Sequence, residues 1–427
     1  MKIAILGLGT VGKGVLDVLV NNQKIITARA GEQIIPVAAL VRDLAKAKEA
    51  IKAYDLANFT LSTNADEILM RDDIDVFVEL IGGVDLPREL ISTLLKRKKP
   101  VVTANKALLA YHRSELEMLA KDTPFGFEAS VAGGIPIIKA LREGLSANHI
   151  EQITGILNGT SNYILTNMMK DGLAFKDALL SAQKLGYAEA DPSFDIGGFD
   201  AAHKLLILAS IAYKLNAKPD DILIEGIENI SSDDIYFAQE FGYAIKLLAI
   251  AKKSAQSLEL RVHPALLEHS KMIAKVDGVM NAVSVWGDCV GESMYYGAGA
   301  GAKPTASAVI SDLIDIARKI KSPMLGYKDT NLQSGLSLVK SDDLMSKFYL
   351  RLRVHDELGV IAKITNIMSQ NELSIDSFLQ KPNSSKADTT VYFTTHTCKQ
   401  ANVLKSLELI GRENFVVSKP FMIRIEK

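Results

Sequence analysis

Between residues 182 and 204 the chain reads AQKLGYAEADPSFDIGGFDAAHK, setting four carboxylates and a closing lysine along a stretch punctuated by glycine and proline. Glu189, Asp191, Asp195 and Asp200 offer anchors for a cationic group, and Lys204 follows Asp200 at i+4, on the same face of a helix. A lysine ammonium beside a carboxylate can hold a charged substrate or lend a proton to a developing oxyanion. An i,i+4 Asp/Lys pair is equally an ordinary surface pair of small energetic worth. The run after Lys204, LLILASIAYKL, is apolar on nearly every face, so it predicts a buried helix whose charged beginning lines an internal cleft. A buried ion pair carries a desolvation cost and calls for a reason.

Such residues need a scaffold, and the N-terminal third supplies its outline. KIAIL reads as a strand, Gly7-Leu8-Gly9-Thr10-Val11-Gly12 as a tight turn, and GKGVLDVLVNN as a helix. In a dinucleotide fold the first glycine makes the turn, the second lets a pyrophosphate approach the backbone, and the third allows close helix-to-strand packing. A bare glycine motif is weak, and a structural Gly-rich turn is the alternative; its place directly after a buried-type strand favours dinucleotide binding. The second strand, IIPVAALV, ends at Arg42-Asp43, further from the glycines than the usual ~20 residues because TARAGEQ lengthens the connection. An acid there suits a ribose 2'-hydroxyl and an arginine a 2'-phosphate, so the neighbours point opposite ways. We favour NADP through Arg42, with NAD as the alternative and a solvated loop as the plain reading of either residue. DVFVELIGG from Asp75 and PVVTANK from Pro100 read as further parallel strands whose ends place Ile81, Gly82, Thr103 and Lys106 on the ligand edge. On its own Lys106 would be a lysine that starts a helix.

Length and composition limit the alternatives. A chain of 427 residues suggests two or three domains, and 48% apolar residues with a net charge of -1 describe a globular protein without a polyelectrolyte partner. Neither nucleic acid nor membrane is implied. Cys289 and Cys398 stand far apart and the histidines lack ligand spacing, which fits a reducing compartment without a zinc site. The first apolar run is too short for a signal peptide. A cytoplasmic protein is expected.

Three further segments carry polar chemistry. EASVAGGIP from Glu128 joins one acid to a Gly-rich bend, the all-oxygen setting that hard cations prefer, although a loop is its plainer reading. NGTSNY from Asn158 should turn between a strand and a helix, with amides and hydroxyls suited to a substrate carboxylate. GAGAGAKPT from Gly297 forms a second Gly-rich turn before the helix SAVISDLIDIARKI. Residues 151 to 300 are expected to alternate strands and helices.

The pattern A-x3-G-Y-A-x2-D-P-x2-D-I-x-G-x-D-x3-K, filled by Ala182, Gly186, Tyr187, Ala188, Asp191, Pro192, Asp195, Ile196, Gly198, Asp200 and Lys204, resembles the signature of homoserine dehydrogenases. With the segments above, the resemblance covers essentially the whole chain. It implies NAD(P)-dependent interconversion of L-homoserine and L-aspartate 4-semialdehyde, on the route to threonine, methionine and isoleucine. It also implies Lys106 at the nicotinamide and substrate, Lys204 as first candidate for the proton donor, and Glu189, Asp200, Tyr187, Asn158 and Thr160 as substrate contacts. Gly297 would lie near the nicotinamide, and a structural sodium ion would use Glu128 and the backbone of Val131, Gly133 and Ile135. Because the glycine motif opens at residue 7, the expected form is the monofunctional one. Two other functions stay open: a non-catalytic nucleotide and amino-acid sensor, and a dehydrogenase of another amino-acid aldehyde.

After a polar, aperiodic linker at 326–346, the remaining chain reads as a β-α-β-β-α-β series of ferredoxin-like type resembling an ACT domain. Its usual D-x-P-G turn is Asp356-Glu-Leu-Gly359, with Leu358 in place of proline. The resemblance implies an amino acid bound at the strand-to-helix turn and a homodimer or homotetramer, with threonine as the hypothesised effector; a purely oligomerising domain is the alternative. The expected fold is α/β: a Rossmann-like parallel sheet over 1–130, an α+β catalytic and dimerisation domain over 131–325 whose last helix returns to the nucleotide domain, the linker, and the ACT domain over 347–427.

Overall fold

The structure, a computed structural model, describes residues 1–54, 56, 58–329, 334–382 and 387–426. The chain divides into two units. One holds Met1–Gly159, Phe199–Ile222 and Val279–Leu336, the other Thr160–Gly198, Leu223–Gly278 and Ser337–Lys427.

In the first unit, strands β1 (Lys2–Leu6), β2 (Ile35–Leu40), β3 (Thr60–Ser62), β4 (Val76–Glu79), β5 (Val101–Thr103) and β6 (Phe125–Gly126) form a parallel sheet in the order 3-2-1-4-5-6. The strands are apolar without alternation because both faces of a parallel sheet are covered. The order reverses between β1 and β4, where an open α/β sheet leaves a crevice beyond the strand ends. Helix α1 (Thr10–Asn21) follows the glycine turn, and the Ala302–Ala317 helix packs on it. The two come close because Gly14 has no side chain: a Cβ there would lie 2.6 Å from the Ala302 carbonyl oxygen. Ile3, Ile5, Val15, Leu16, Val78, Val309 and Leu313 are fully buried between these layers, each contributing about 1.5–3 kcal/mol. The long connection through TARAGEQ folds as an extra helix, Gln23–Ala30, which ends on Gly31 in the left-handed region.

The same unit contains β7 (Ile150–Ile156), antiparallel to Met280–Gly287, which turns back as Gly291–Ala298. The Phe199–Tyr213 helix packs on β7 and on the Lys106–Ala120 helix. It is buried continuously from Asp200 to Ile211, as its apolar sequence predicts. Arg113 ties the two helices through Ser210 and the carbonyls of Ala110, Leu215 and Ala217; burial lowers its guanidinium to about 10.

The second unit is built on a long hairpin, Tyr243–Ser254 with Ser257–Glu268. In the stretch expected to alternate strands and helices, the part before residue 241 is mostly helical, and two hairpins, this one and the one over 280–298, make up the rest. The reason is local: β-rich runs separated by very short turns fold back directly instead of crossing over. The C-terminal residues form strands Met345–His355, Ile375–Pro382, Asp388–Thr395 and Phe421–Glu426 with helices Val360–Gln370 and Gln400–Gly411, the β-α-β-β-α-β series. Phe421–Glu426 runs antiparallel to Met345–His355 and, on its other side, parallel to Ser257–Glu268, so this sheet continues into the hairpin. Of the segment 326–346, residues 330–333 lie outside the described residues, while Ser337–Leu338 pairs with Ser257–Leu258.

Candidate active site

Each glycine of the first turn meets a different demand. Gly7 has φ +106°, and a Cβ on it would sit 2.8 Å from the Leu80 carbonyl oxygen; a Cβ on Gly12 would collide with the Gly7 carbonyl. At Gly9 a Cβ would meet nothing within 4 Å. The protein itself has no need of a glycine there, and its bare backbone faces open space at the start of α1, where unpaired N–H groups and the helix dipole favour an anion. A cleft of about 770 Å³ lies beyond it, lined among others by Gly7, Gly9, Lys13, Arg42, Lys46 and Ile81. An adjoining hollow of about 450 Å³ adds Thr10 and Lys303, and Val11 lies half-buried in the first turn of α1. The size suits a small-molecule ligand, and the lysines and arginine suit a polyanion.

Arg42 and Asp43 occupy different settings. The Asp43 carboxylate accepts the Lys46 N–H at 3.0 Å and caps the Leu44–Ile51 helix. Arg42 is exposed on the cleft and makes no hydrogen bond or ion pair among the described residues.

At the ends of β4 and β5, Ile81 lines the cleft and Gly82 follows it with φ +80°. Thr103 is fully buried; its hydroxyl donates to Glu79 at 2.6 Å and accepts the Asn105 N–H at 3.0 Å. Asn105 accepts the Leu108 N–H at 3.0 Å and so caps the helix that begins with Lys106.

Lys106 reaches Asp200, in the first turn of the Phe199–Tyr213 helix, and donates to Oδ1. Lys204, one turn on, donates to Asp200 Oδ2 at 2.7 Å and to the Leu157 carbonyl at 2.6 Å. The Asn158 amide donates to the same Oδ2 at 2.9 Å. Asp200 is 1% exposed and Lys204 8%. Burial alone would raise the Asp200 carboxyl, but Lys204 and Lys106 outweigh it and hold it well below the usual carboxylate range. The result is an ionised carboxylate fixing two ammonium groups. His203, beside it, is lowered by burial, with Tyr111 edge-on at 5.4 Å.

The bend after β6 folds back on itself. Glu128 is 2% exposed; Oε1 accepts the Ile138 N–H and Oε2 the Lys139 N–H, both at 2.9 Å, while its own N–H donates to Asp312 at 2.9 Å. Burial, then the nearby Asp312, pushes the Glu128 carboxyl up to about 7, and burial lifts Asp312 to about 6. Val131 and Ile135 are buried, and Gly133, at φ +49°, approaches the backbone of Gly299. Gly297 leaves room for Ile135, whose Cγ1 would be 3.2 Å from a Cβ at that position. The cation-type bend and the second glycine turn are therefore in contact.

The remaining substrate candidates belong to the second unit. Thr160 donates to the Tyr187 carbonyl at 2.7 Å and to Asp195 at 3.2 Å, and Ser161 donates to the Asp195 carbonyl at 2.9 Å. Tyr187 is exposed, its ring 5.0 Å from that of Tyr163. Glu189 is exposed, and its carboxylate has no hydrogen-bond or ionic partner among the described residues. The polar turn that starts at Asn158 thus has its donors engaged within the protein.

The homoserine dehydrogenase family profile matches residues 136–314, and the homoserine dehydrogenase NAD-binding domain matches residues 7–127. A homoserine dehydrogenase from Helicobacter pylori is 53% identical over 428 residues, covering 100% of this chain and 99% of that protein. The chain belongs to the homoserine dehydrogenase family. A crystal structure of a homoserine dehydrogenase from Thiobacillus denitrificans superposes with a TM-score of 0.93 at 44% identity, covering 100% of this chain and 98% of the other. A hyperthermophilic archaeal homoserine dehydrogenase in complex with NADPH aligns with a TM-score of 0.63 at 29% identity, over 75% of this chain and 99% of its own.

As a homoserine dehydrogenase the protein is an NAD(P)-dependent oxidoreductase that interconverts L-homoserine and L-aspartate 4-semialdehyde, a step of threonine, methionine and isoleucine biosynthesis. Its nicotinamide-cofactor domain is the parallel sheet of the first unit. No described helix is long and apolar enough to cross a membrane. Sequence reasoning passed over Glu79 and Asn105; the signal for Glu79 was a lone acid closing the apolar strand VFVE.

Proposed function

We propose that Asp200, Lys204 and Lys106 form the catalytic centre, with Lys204 as proton donor and Lys106 sharing the stabilisation of the reacting oxygen. One observation carries this reading: a single buried carboxylate takes both ammonium groups. NADP(H), held along the cleft by the Gly9 turn, Arg42 and Lys46, would supply or accept the hydride at the substrate carbon. In the reducing direction negative charge gathers on the aldehyde oxygen, and an ammonium already oriented by Asp200 stabilises that charge without reorganising and supplies the proton. In the oxidising direction the lysine, as the amine, takes the hydroxyl proton. Asn158 steadies Asp200 from the side of β7. Tyr187, Thr160 and Glu189 keep the substrate-contact roles that the family resemblance gives them, Glu189 as partner of the substrate ammonium. Homoserine-dependent absorbance change at 340 nm, followed in wild type and Lys204→Ala, tests the centre. Near-full turnover by the variant would remove Lys204 as donor.

The preferred cofactor in this reading is NADP. Arg42 is exposed on the cleft while Asp43 is engaged in capping, and Lys46 stands beside them. The archaeal relative's NADPH complex supports it. Comparing kcat/KM for NADP and NAD decides the preference.

Glu128, with the backbone of Val131, Gly133 and Ile135, is proposed to hold a sodium ion. Two buried carboxyls that burial pushes upward fit a nearby cation. We further read residues 347–427 as an ACT-type regulatory domain taking threonine at Asp356–Gly359, following a nucleotide domain over 1–130, a catalytic domain over 131–325 and the linker. The assembly is a homodimer or homotetramer in the cytoplasm. Threonine that leaves the rate of the full-length enzyme unchanged removes the regulatory part.

A further inference from the structure

A carboxylate without a cation stands at the carboxyl end of β4. Glu79 has no solvent exposure, and among the described residues no lysine, arginine or histidine pairs with it. Burial pushes its carboxyl above the ordinary value while hydrogen bonds from Thr103 and Ile81 pull the other way. Burying an acid without a cation is costly, so the choice of a carboxyl side chain here needs an explanation that an apolar residue of equal volume would not meet.

The hydrogen bonds supply one. The Ile81 N–H donates to Oε1 at 2.7 Å and the Thr103 hydroxyl to Oε2 at 2.6 Å, so both faces of the group must accept. A glutamine would set its NH2 against one of those donors. Thr103 has one proton, directed to Glu79, and its oxygen in turn accepts the Asn105 N–H at 3.0 Å. Asn105 then works in two directions: its amide donates to the Gly83 carbonyl at 2.8 Å and its oxygen caps the Lys106–Ala120 helix. The series joins the loop ends after β4 and β5 to the first residue of the helix. That residue is Lys106.

We propose that Glu79 is a positioning residue for Lys106: by fixing Thr103, and through it Asn105, it sets the helix start from which Lys106 reaches Asp200. The inference rests on the reading of Lys106 as part of the catalytic centre. It assigns Glu79 no contact with substrate or nucleotide. Its consequence is that breaking the relay harms turnover only while Lys106 is present.

The test is a double-mutant cycle on the full-length enzyme, with kcat for homoserine oxidation and the NADPH dissociation constant as readouts. Thr103→Val, which severs the relay, is expected to lower kcat about 10- to 100-fold, as a small misplacement of a catalytic group does. Thr103→Ser, which restores the hydroxyl, should stay within about threefold of wild type. In the Lys106→Ala background Thr103→Val should change kcat by less than about threefold, since residues acting as one unit are not additive. If Thr103→Val no longer binds NADPH, Glu79→Gln takes its place in the same cycle, and background dependence is again required. Equal fold-losses in both backgrounds, or unchanged kcat on severing the relay, overturn the inference alone. Near-full turnover by Lys106→Ala overturns the reading beneath it as well.

Discussion

Asp200 and Glu128 are both carboxylates shut away from solvent in the first unit, at 1% and 2% exposure, yet burial leaves them in opposite conditions. Asp200 accepts from two ammonium groups and an amide, and its carboxyl is held far down. Glu128 accepts from two backbone N–H groups beside another acid, and its carboxyl rises to about 7. Depth does not separate the two. The partners do: two ammonium groups bonded to the carboxylate outweigh desolvation, whereas peptide dipoles facing a second carboxylate do not, even with the Lys139 ammonium, shared with Asp312 and Asp315, nearby. Asp200 is thus an anion at any working pH, suited to aiming lysines, while the charge at Glu128 is conditional on its surroundings.

The harshest way to break this contrast is to remove a cation from Asp200. Lys204→Ala is expected to lower kcat about 10³-fold, within the usual range for losing a general acid, with NADPH binding retained; steady-state kinetics with a binding titration checks it. Asp200→Asn keeps the shape but loses the charge that orients both lysines, and should lower kcat about 10²-fold, with little change in KM as the mark of a role in the transition state. Arg42→Ala sharpens the comparison from the cleft, where charge recognises a ligand instead of orienting a catalyst. It should raise KM for NADP about tenfold and leave that for NAD nearly unchanged, as initial-rate measurements with each cofactor would show.

The smallest effect is one of stability. Glu128 and Asp312 bind protons more tightly folded than unfolded, so their contribution is fully present below the unfolded values of 4.5 and 3.8 and is lost as pH rises through about 6 to 7. For Glu128 this amounts to on the order of 3 kcal/mol at most. Tm of the wild type should fall across that window, and Glu128→Gln should flatten the fall. Sodium chloride in place of tetramethylammonium chloride at alkaline pH should raise Tm of the wild type but not of the variant. Asp200, with its lowered carboxyl, contributes above its unfolded value of 3.8 and loses that only in strong acid.

What the sequence revealed follows the same physics. The glycine turn, the strands of the parallel sheet and the buried Asp200–Lys204 helix were legible because each rests on local spacing: glycines at fixed intervals, unbroken apolar runs, an i,i+4 pair. The family resemblance placed Lys106 at the nicotinamide and substrate but did not join it to Asp200, since a link across 94 residues leaves no periodic trace. The competition between Arg42 and Asp43 was not legible, because helix capping depends on where Leu44–Ile51 begins. Nor was the hairpin character of 243–298, where periodicity alone does not distinguish a buried strand from a crossover unit.

The parallel pairing of Phe421–Glu426 with Ser257–Glu268 makes the C-terminal module a poor candidate for amputation. Ending the chain before Met345 would uncover the Ala265–Leu267 end of the Ser257–Glu268 strand, leaving a short raw edge of the kind on which proteins aggregate. It would also take Arg424 from Glu225, which it grips through both oxygens at 2.6 and 2.8 Å, and would strip Oδ1 of the wholly enclosed Asp234, which accepts from Tyr349 at 2.8 Å and Arg351 at 2.9 Å, leaving Asp234 only its bonds from Ser231. A shortened protein that precipitates would therefore say nothing about effectors. Their study belongs to single substitutions around Asp356–Gly359 in the intact chain.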